Sequence, residues 1–494
     1  MVRSLVRWLL LAAGSAVFGL LLLALGIYGR YLASGPELQP WHRVALDDFT
    51  ARQADEIVTL DDYRRLEDRL FADLEARVYQ PPLAGRNFFN RYREDSRSDP
   101  GSWPVNWNRS FHLQPAAGVA PRGAVLLLHG LTDSPYSMRS IGEHLAARGH
   151  EVVGLRLPGH GTAPSGLLSF RIEDMQAAVR LAASDLAGRG PPGSPLFLVG
   201  YSNGAALAVD YALSVLEGEP LPRPAGLVLV SPAIAVSKLA VVGRFKTGLS
   251  SLPGFERAAW ESIALEFDPY KYTSFTLHAG GETFRLTRLL ASRIKRLSGG
   301  QPLQGFPPVL VFLSTVDSTV KAGAVAAALL DRLAPDGHEL VLFDVNRYSG
   351  IQELLAEDPG RLTRELESKP GRSYALSVIG NASEDSLQAV ERRVATGSVQ
   401  PAVRPIGIDW PPNVFSLSHV ALPFPPDDPL YGYEVARDGR HVQLGRISVH
   451  GENGVLAVPA WALTRQRSNP FHGYLLERVD AFLEATGGAP PAGP

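Results

Sequence analysis

The chain has no cysteine among its 494 residues. That absence excludes disulfides, thiolate zinc sites, a cysteine nucleophile and a lipidated N-terminal cysteine. It also suits an oxidising compartment, where stray thiols are a hazard. An excess of charge of one sign is lacking too. The 48 Lys and Arg stand against 50 Asp and Glu, a net charge of −2, and give no case for a nucleic-acid partner. There is no H-E-x-x-H or comparable ligand spacing, so neither metal nor other cofactor is expected. No internal repeat is evident. What is present is a globular composition, 45% apolar and 20% charged, in a chain too long for one simple core. One large decorated domain or two domains are expected.

One hydrophobic run is long. Arg3 and Arg7 precede an uncharged stretch from Trp8 to Gly29, closed by Arg30. About 20 residues suffice to cross a bilayer, so 8–29 reads as a transmembrane anchor. The rival reading is a cleaved signal peptide. The run exceeds the roughly 7–15 apolar residues of that class, and Arg30 separates it from any small-residue cleavage site. An uncleaved anchor is therefore favoured. Arg30 and Arg43 follow the span, so the positive-inside bias is slight; it leans towards an inside N-terminus. The bulk of the protein is then outside the cytoplasm, in the periplasm if the source is bacterial.

Ser34–Thr59 reads as a linker. Thr59 caps a helix with Asp61 and Asp62 in its first turn and Leu60, Tyr63, Leu66, Leu70 and Leu74 on one face. Asn87–Trp107 reads as irregular. From Ser110 onward, short apolar runs alternate with helical patterns. Strands are expected at 110–114, 123–128, 151–155, 195–199, 226–230, 308–313 and 339–345, with helices at 140–148, 172–186 and 322–333. Strands that are apolar throughout and alternate with helices argue for a parallel sheet covered on both faces. Two stretches interrupt this pattern, 237–305 and 346–412. The first carries a helix over 282–297, and the second a strand-like Tyr374–Ile379. Long insertions at the carboxyl ends of parallel strands usually become lids or rims. The expected division is an anchor (8–29), a linker and helix (30–109), a core in three parts (110–236, 306–345, 413–485), a cap (237–305), an insertion (346–412) and a disordered tail (486–494).

Chemistry centres on Pro195–Gly204, PLFLVGYSNG. A strand, a sharp turn with Ser202 at its apex, and a helix give the G-x-S-x-G pentapeptide its meaning. Gly200 and Gly204 remove side chains that would collide where strand and helix cross. A serine hydroxyl needs a base, a group orienting that base, and donors for an oxyanion. Asp317, just beyond strand 308–313, is the orienting acid; its bland reading is a helix N-cap. Asp344, within a strand, is less well placed. His419 in Ser418-His419-Val420 is the base. His338 competes by spacing, but it precedes strand 339–345 and so belongs to the opposite edge of the sheet. The oxyanion donors are the amides of Asn203 and, after the strand ending in His129-Gly130, of Leu131. Alone, His129-Gly130 could be a plain strand-terminating turn.

Together LLLHGLTDSPYSM (126–138), LRLPGHGTAP (155–164), VGYSNG (199–204), STVDSTV (314–320) and SHV (418–420) resemble the α/β-hydrolase superfamily. Within it they are most similar to the monoacylglycerol-lipase, carboxylesterase and serine-aminopeptidase-like group. The resemblance covers about 110–345 and a short piece near His419. It implies a mostly parallel sheet flanked by helices, with a cap at 237–305, a second insertion before the histidine, and the N-terminal transmembrane helix outside the shared part. It also implies hydrolysis of carboxylic esters, of acyl or lipid kind, through an acyl-enzyme. The chain departs from the family pattern at Ser314, where glycine is usual, at Asn203-Gly204, where Met-Gly is common, and in the long stretch 346–418 before the histidine. A peptidase or acyltransferase on the same triad remains open. So does a catalytically silent scaffold that binds a partner, because fold does not fix function.

Overall fold

The computed structural model describes residues 2–33, 35–80, 89–234, 254–350, 358–436, 438–446 and 465–488. The strands in chain order are β1 (Phe111–Leu113), β2 (Gly123–Leu128), β3 (His150–Leu155), β4 (Leu196–Tyr201), β5 (Gly226–Val230), β6 (Trp260–Ser262), β7 (Phe275–Thr276), β8 (Val309–Ser314), β9 (His338–Phe343), β10 (Tyr374–Asn381), β11 (Gln388–Val394) and β12 (Pro401–Asp409). Ten of them form one sheet in the order β1-β3-β2-β4-β5-β8-β9-β10-β11-β12, and β6 pairs with β7 apart from it. Pairing is parallel from β3 across to β10 and antiparallel at both ends, where β1 adds to β3 and β11 and β12 add to β10.

Strand periodicity divides the apolar runs between two faces. On β4, Leu196 and Leu198 join a core under the helices Ile172–Arg189, Asn203–Leu216 and Leu277–Ser298. Phe197, Val199 and Tyr201 join a second core under the helices Arg139–Ala147 and His472–Gly487. Both faces of the central strands are thus dry, which is why their sequences are apolar without alternation.

The helix Leu60–Val78 starts where expected. Thr59 Oγ1 accepts from the Asp62 amide, and Asp62 Oδ2 accepts from the Thr59 amide, closing a capping box. The stretch before it is not a free tether. Buried Arg156, just past β3, pairs with Asp48 through both Nη atoms at 2.9 and 2.7 Å and with Glu67 through Nε at 2.9 Å. Phe49 is buried, and the Ala51 amide donates to Asp174. A guanidinium taken fully out of water needs such partners, and it fastens 48–67 to the sheet.

The N-terminal residues form a helix, Val2–Ala33, with Trp8, Leu11, Val17, Phe18, Leu20, Leu23 and Ile27 exposed. Among the described residues, however, no helix is long and apolar enough to cross a membrane, so the expected anchor over 8–29 finds no support there. Several side chains of that run, including Leu9, Leu10, Leu21 and Leu22, lie outside the described residues.

The second insertion differs from the expected lid or rim. Its strands β10, β11 and β12 continue the main sheet outward from β9. The excursion closes at its neck: the Asn346 amide donates to Phe415 O at 2.7 Å, and Asn346 Nδ2 reaches Pro411 O and Val414 O, both at 3.2 Å. Buried Trp410 packs edge-on to Phe471 beside this neck. Of the expected cap, 237–253 lies outside the described residues; the remainder contains β6, β7 and the helix Leu277–Ser298, which starts before the expected Glu282. The expected disordered tail is helical at Thr486 and Gly487, and 489–494 lies outside the described residues.

Candidate active site

Every expected site residue lies at the carboxyl edge of the sheet. Ser202 follows β4 with φ 53° and ψ −112°, a strained backbone for a residue with a Cβ. Three hydrogen bonds hold it there: its amide donates to Val230 O at 2.9 Å, and its carbonyl accepts from Ala206 at 3.2 Å and Ala233 at 3.0 Å. The turn fits because of the two flanking glycines. A Cβ on Gly200 would stand 2.5 Å from Ala205 N and Cα, and one on Gly204 would stand 2.5 Å from Leu128 C. Thr132 and Ser231, just past β2 and β5, also have positive φ. Backbone strain thus gathers around the serine.

Asp317 lies three residues past β8. Its Oδ1 accepts from the amides of Thr319 and Val320 at 2.7 and 2.9 Å, which fixes the carboxylate. Its Oδ2 is 2.8 Å from His419 Nδ1. The bland N-cap reading is half right in kind, since one oxygen does bind local amides, but the helix Ala322–Ala328 is capped at Lys321. Burial pushes the Asp317 carboxyl up, yet the hydrogen bond and charge of His419 and the two amides outweigh it and leave it below its ordinary value. His419 is buried, and its Nε2 is 3.0 Å from Ser202 Oγ. The ring leans on Tyr201, with centroids 5.4 Å apart. The Asn346 neck explains how a histidine so far along the chain reaches this edge: the path returns beside the end of β9 before Phe415 leads on to His419. Asp344 instead binds Arg347, and His338 opens β9 at the far edge with Nε2 on Ala334 O.

Leu131 lies in the turn after β2, and Asn203 opens the helix after β4. Among the described residues neither amide has a hydrogen-bond acceptor, as an oxyanion site requires. The Asn203 side chain turns inward, its Nδ2 lying 3.5 Å from Met175 Sδ. His129 shapes the other loop. Its Nε2 accepts from the Leu157 amide at 3.0 Å, so its Nδ1–H donates to Gly130 O at 2.8 Å. Burial, then the neighbouring His160, holds its pKa well below the ordinary value, consistent with that neutral tautomer. Two further residues are not singled out by the sequence: buried Asp133, inside the stretch 126–138, and Lys271 of the cap, whose Nζ is 3.4 Å from Asp133 Oδ2. A cavity of about 280 Å³ lies elsewhere, between the stretch 43–50 and the loop 158–170; no triad residue lines it.

Asp, His and Ser stand in one hydrogen-bonded line at the carboxyl edge of a doubly covered parallel sheet, the arrangement of the α/β-hydrolase fold. Known proteins agree on the core. Residues 119–347 match the family model for Serine aminopeptidase, S33. A thermostable monoacylglycerol lipase of Bacillus sp. (strain H-257) is 28% identical over 201 residues, which is 40% of this chain and 72% of that protein. Among solved structures, the monoacylglycerol lipase of Paleococcus ferrophilus is 20% identical, covering 47% of this chain and 87% of its own, with a TM-score of 0.36. A soluble variant of monoglyceride lipase from Saccharomyces cerevisiae is 17% identical, covering 47% and 81%, also at 0.36. The resemblance read from the motifs therefore holds over the core, which is similar to the monoacylglycerol-lipase, carboxylesterase and serine-aminopeptidase-like group of the α/β-hydrolase superfamily.

Proposed function

We infer that the protein is a serine hydrolase that cleaves carboxylic esters, of acyl or lipid kind, through an acyl-enzyme. The observation that carries this reading is the unbroken line from Asp317 through His419 to Ser202, at 2.8 and 3.0 Å. Ser202 Oγ attacks the ester carbonyl carbon while His419 Nε2 takes the hydroxyl proton. Asp317 holds the Nδ1–H and offsets the charge of the imidazolium. The carbonyl oxygen, now anionic, takes hydrogen bonds from the Leu131 and Asn203 amides. The imidazolium returns its proton to the departing alcohol. Water then attacks the acyl-enzyme with His419 again as base, and Ser202 leaves. An ester of small-molecule or lipid type also fits what the Bacillus relative's name says of that protein.

The same reading keeps 8–29 as a membrane anchor with the catalytic part outside the cytoplasm. Its support is the uncharged sequence run from Trp8 to Gly29. Retention of the full chain in carbonate-washed membranes, with release of a chain starting at residue 35, is the expected result.

The activity is tested with a fluorophosphonate probe on wild type and Ser202→Ala. Labelling of the wild type alone is expected. Well-folded wild-type protein that takes no label would favour the silent-scaffold alternative. A chain-length series of nitrophenyl esters then separates short-acyl from lipid preference, and partition to added alcohol or amine reveals acyl transfer.

A further inference from the structure

The Asp133–Lys271 pair joins two parts of the chain that meet at the site. Asp133 ends the turn that presents the Leu131 amide; its own amide donates to Gly130 O at 3.3 Å. Its carboxylate is buried against that turn. A Cβ on Gly130 would lie 3.0 Å from Asp133 Oδ2 and 2.9 Å from the Tyr201 ring. Among the described residues the carboxylate has one hydrogen-bond donor, Lys271 Nζ. Lys271 belongs to the cap segment that runs from Phe267 to Thr276. The next residue of that segment repeats the contact with the backbone, since the Tyr272 amide donates to Thr132 O at 2.8 Å.

The segment is itself firmly held. Asp268 Oδ1 accepts from the Tyr270 and Lys271 amides at 3.0 and 3.1 Å, and its Oδ2 accepts from Tyr431 OH at 2.6 Å. Tyr270 stacks on Tyr136, with centroids 4.2 Å apart. Lys271 therefore projects from an anchored turn onto the oxyanion loop and is not a swinging surface lysine.

Charge gives the pair a second consequence. Asp133 feels His419 across the site, together with Asp268 and Lys271 from the cap; Tyr201 from β4 and Tyr431 from the loop after the histidine feel Asp133 in turn. A bare carboxylate here opposes the negative charge that grows on the substrate carbonyl oxygen. An ammonium 3.4 Å away offsets it.

We propose that Lys271 is a positioning residue for ester hydrolysis: paired with Asp133 and backed by the Tyr272–Thr132 hydrogen bond, it clamps the cap onto the oxyanion loop and neutralises the carboxylate beside the site. This rests on the serine-hydrolase reading. Burial, the largest influence on Asp133, already pushes its carboxyl above the ordinary value, and Lys271 works against that. Removing the lysine raises it further. The carboxylate is then neutral at low pH and charged without a partner at high pH.

The test uses Lys271→Met, Lys271→Arg and the double variant Lys271→Met/Asp133→Asn, with p-nitrophenyl butyrate hydrolysis followed from acid to alkaline pH. Lys271→Met is expected to lose roughly tenfold in kcat at neutral pH with KM little changed, as for weakened oxyanion stabilisation. The deficit grows as pH rises. Lys271→Arg recovers most of the rate, and Asp133→Asn in the double variant removes the pH-dependent part of the loss. A deficit that is the same at every pH, or one confined to KM, overturns the proposal. So does failure of arginine to rescue. If Lys271→Met is poorly folded, the comparison of the double variant with wild type decides alone, because a neutral pair predicts a rate profile parallel to wild type. Wild-type protein that takes no fluorophosphonate label sinks the serine-hydrolase reading instead, so the two failures are distinguishable.

Discussion

Substituting Gly204 by alanine tests whether the site is held by the close crossing of strand and helix. The added Cβ falls 2.5 Å from Leu128 C and 2.6 Å from His129 O, with Leu128 O closer still. Carbon and oxygen normally approach to about 3.3 Å, so roughly 1 Å of separation must be found. Neither side yields easily. The obstructing atoms are backbone, and Leu128 is paired on both sides, with Leu155 and with Gly200. The helix Asn203–Leu216 is buried along most of its length. What moves apart is the end of β2, which leads to Leu131, and the helix N-terminus, which carries Asn203. The two amides proposed as oxyanion donors therefore separate. A misplacement of about 1 Å costs on the order of 10²-fold in rate, and the overpacking costs roughly 1–3 kcal/mol of stability. Both quantities are measurable on one preparation, by nitrophenyl-ester turnover and by thermal melting. The control is Gly281→Ala, inside the helix Leu277–Ser298, where a Cβ meets nothing within 4 Å. That change should leave kcat alone and stabilise by about 0.5–1 kcal/mol. Near wild-type turnover and melting temperature in Gly204→Ala would refute the reasoning.

Other consequences follow from the same contacts. Asp317→Asn turns the acceptor facing His419 Nδ1 into an amide and favours the wrong tautomer; kcat should fall by about 10⁴ with the fold intact by circular dichroism. Asp48→Ala leaves Arg156 buried with half its ion pairing and should cost about 3–5 kcal/mol in urea unfolding, whereas Arg65→Ala, which breaks an exposed pair with Asp62 and leaves the capping box intact, should cost little. Acid should destabilise the protein early. Burial, the first cause for each, holds His42, His160 and His472 at about 4, below the ordinary 6.5. As pH falls from 6.5 towards 4 the unfolded chain takes up protons that the folded one refuses, so stability drops by about 3 kcal/mol per histidine. A denaturant midpoint that stays flat over that interval would contradict this sign.

The parts of the fold that could be read in advance are those where local pattern and burial coincide. Strands β2, β4, β5 and β8 are apolar throughout because both faces are covered. Ser202 announces itself through glycines that only a tight crossing needs, and Asp317 and His419 come after it in the expected order. Reading failed where partners are distant in the chain. Gln388–Val394 and Pro401–Asp409 carry charge and proline, which suit outer strands. Glu391 within β11 is buried only because Tyr474 and Arg404 meet it. The stretch 35–59 reads as a linker because Arg156, which fastens it, lies about a hundred residues away. Asp133 and Lys271 carry no spacing rule, because the cap brings them together. At Ser314, where the family pattern has glycine, the residue is buried at the end of β8; its carbonyl accepts from the Asp317 amide, and among the described residues its hydroxyl has no hydrogen-bond partner.

The neck between Asn346 and Phe415 makes the outer three strands a detour that leaves the reaction centre and returns to its point of departure. Whatever happens at the detour's far end changes the distance travelled and not the arrival. The exposed turns between β10 and β11 and between β11 and β12 are therefore the natural places to graft a tag or a second domain. A carrier fused there would ride on the far flank of the sheet, with the histidine still delivered to its serine.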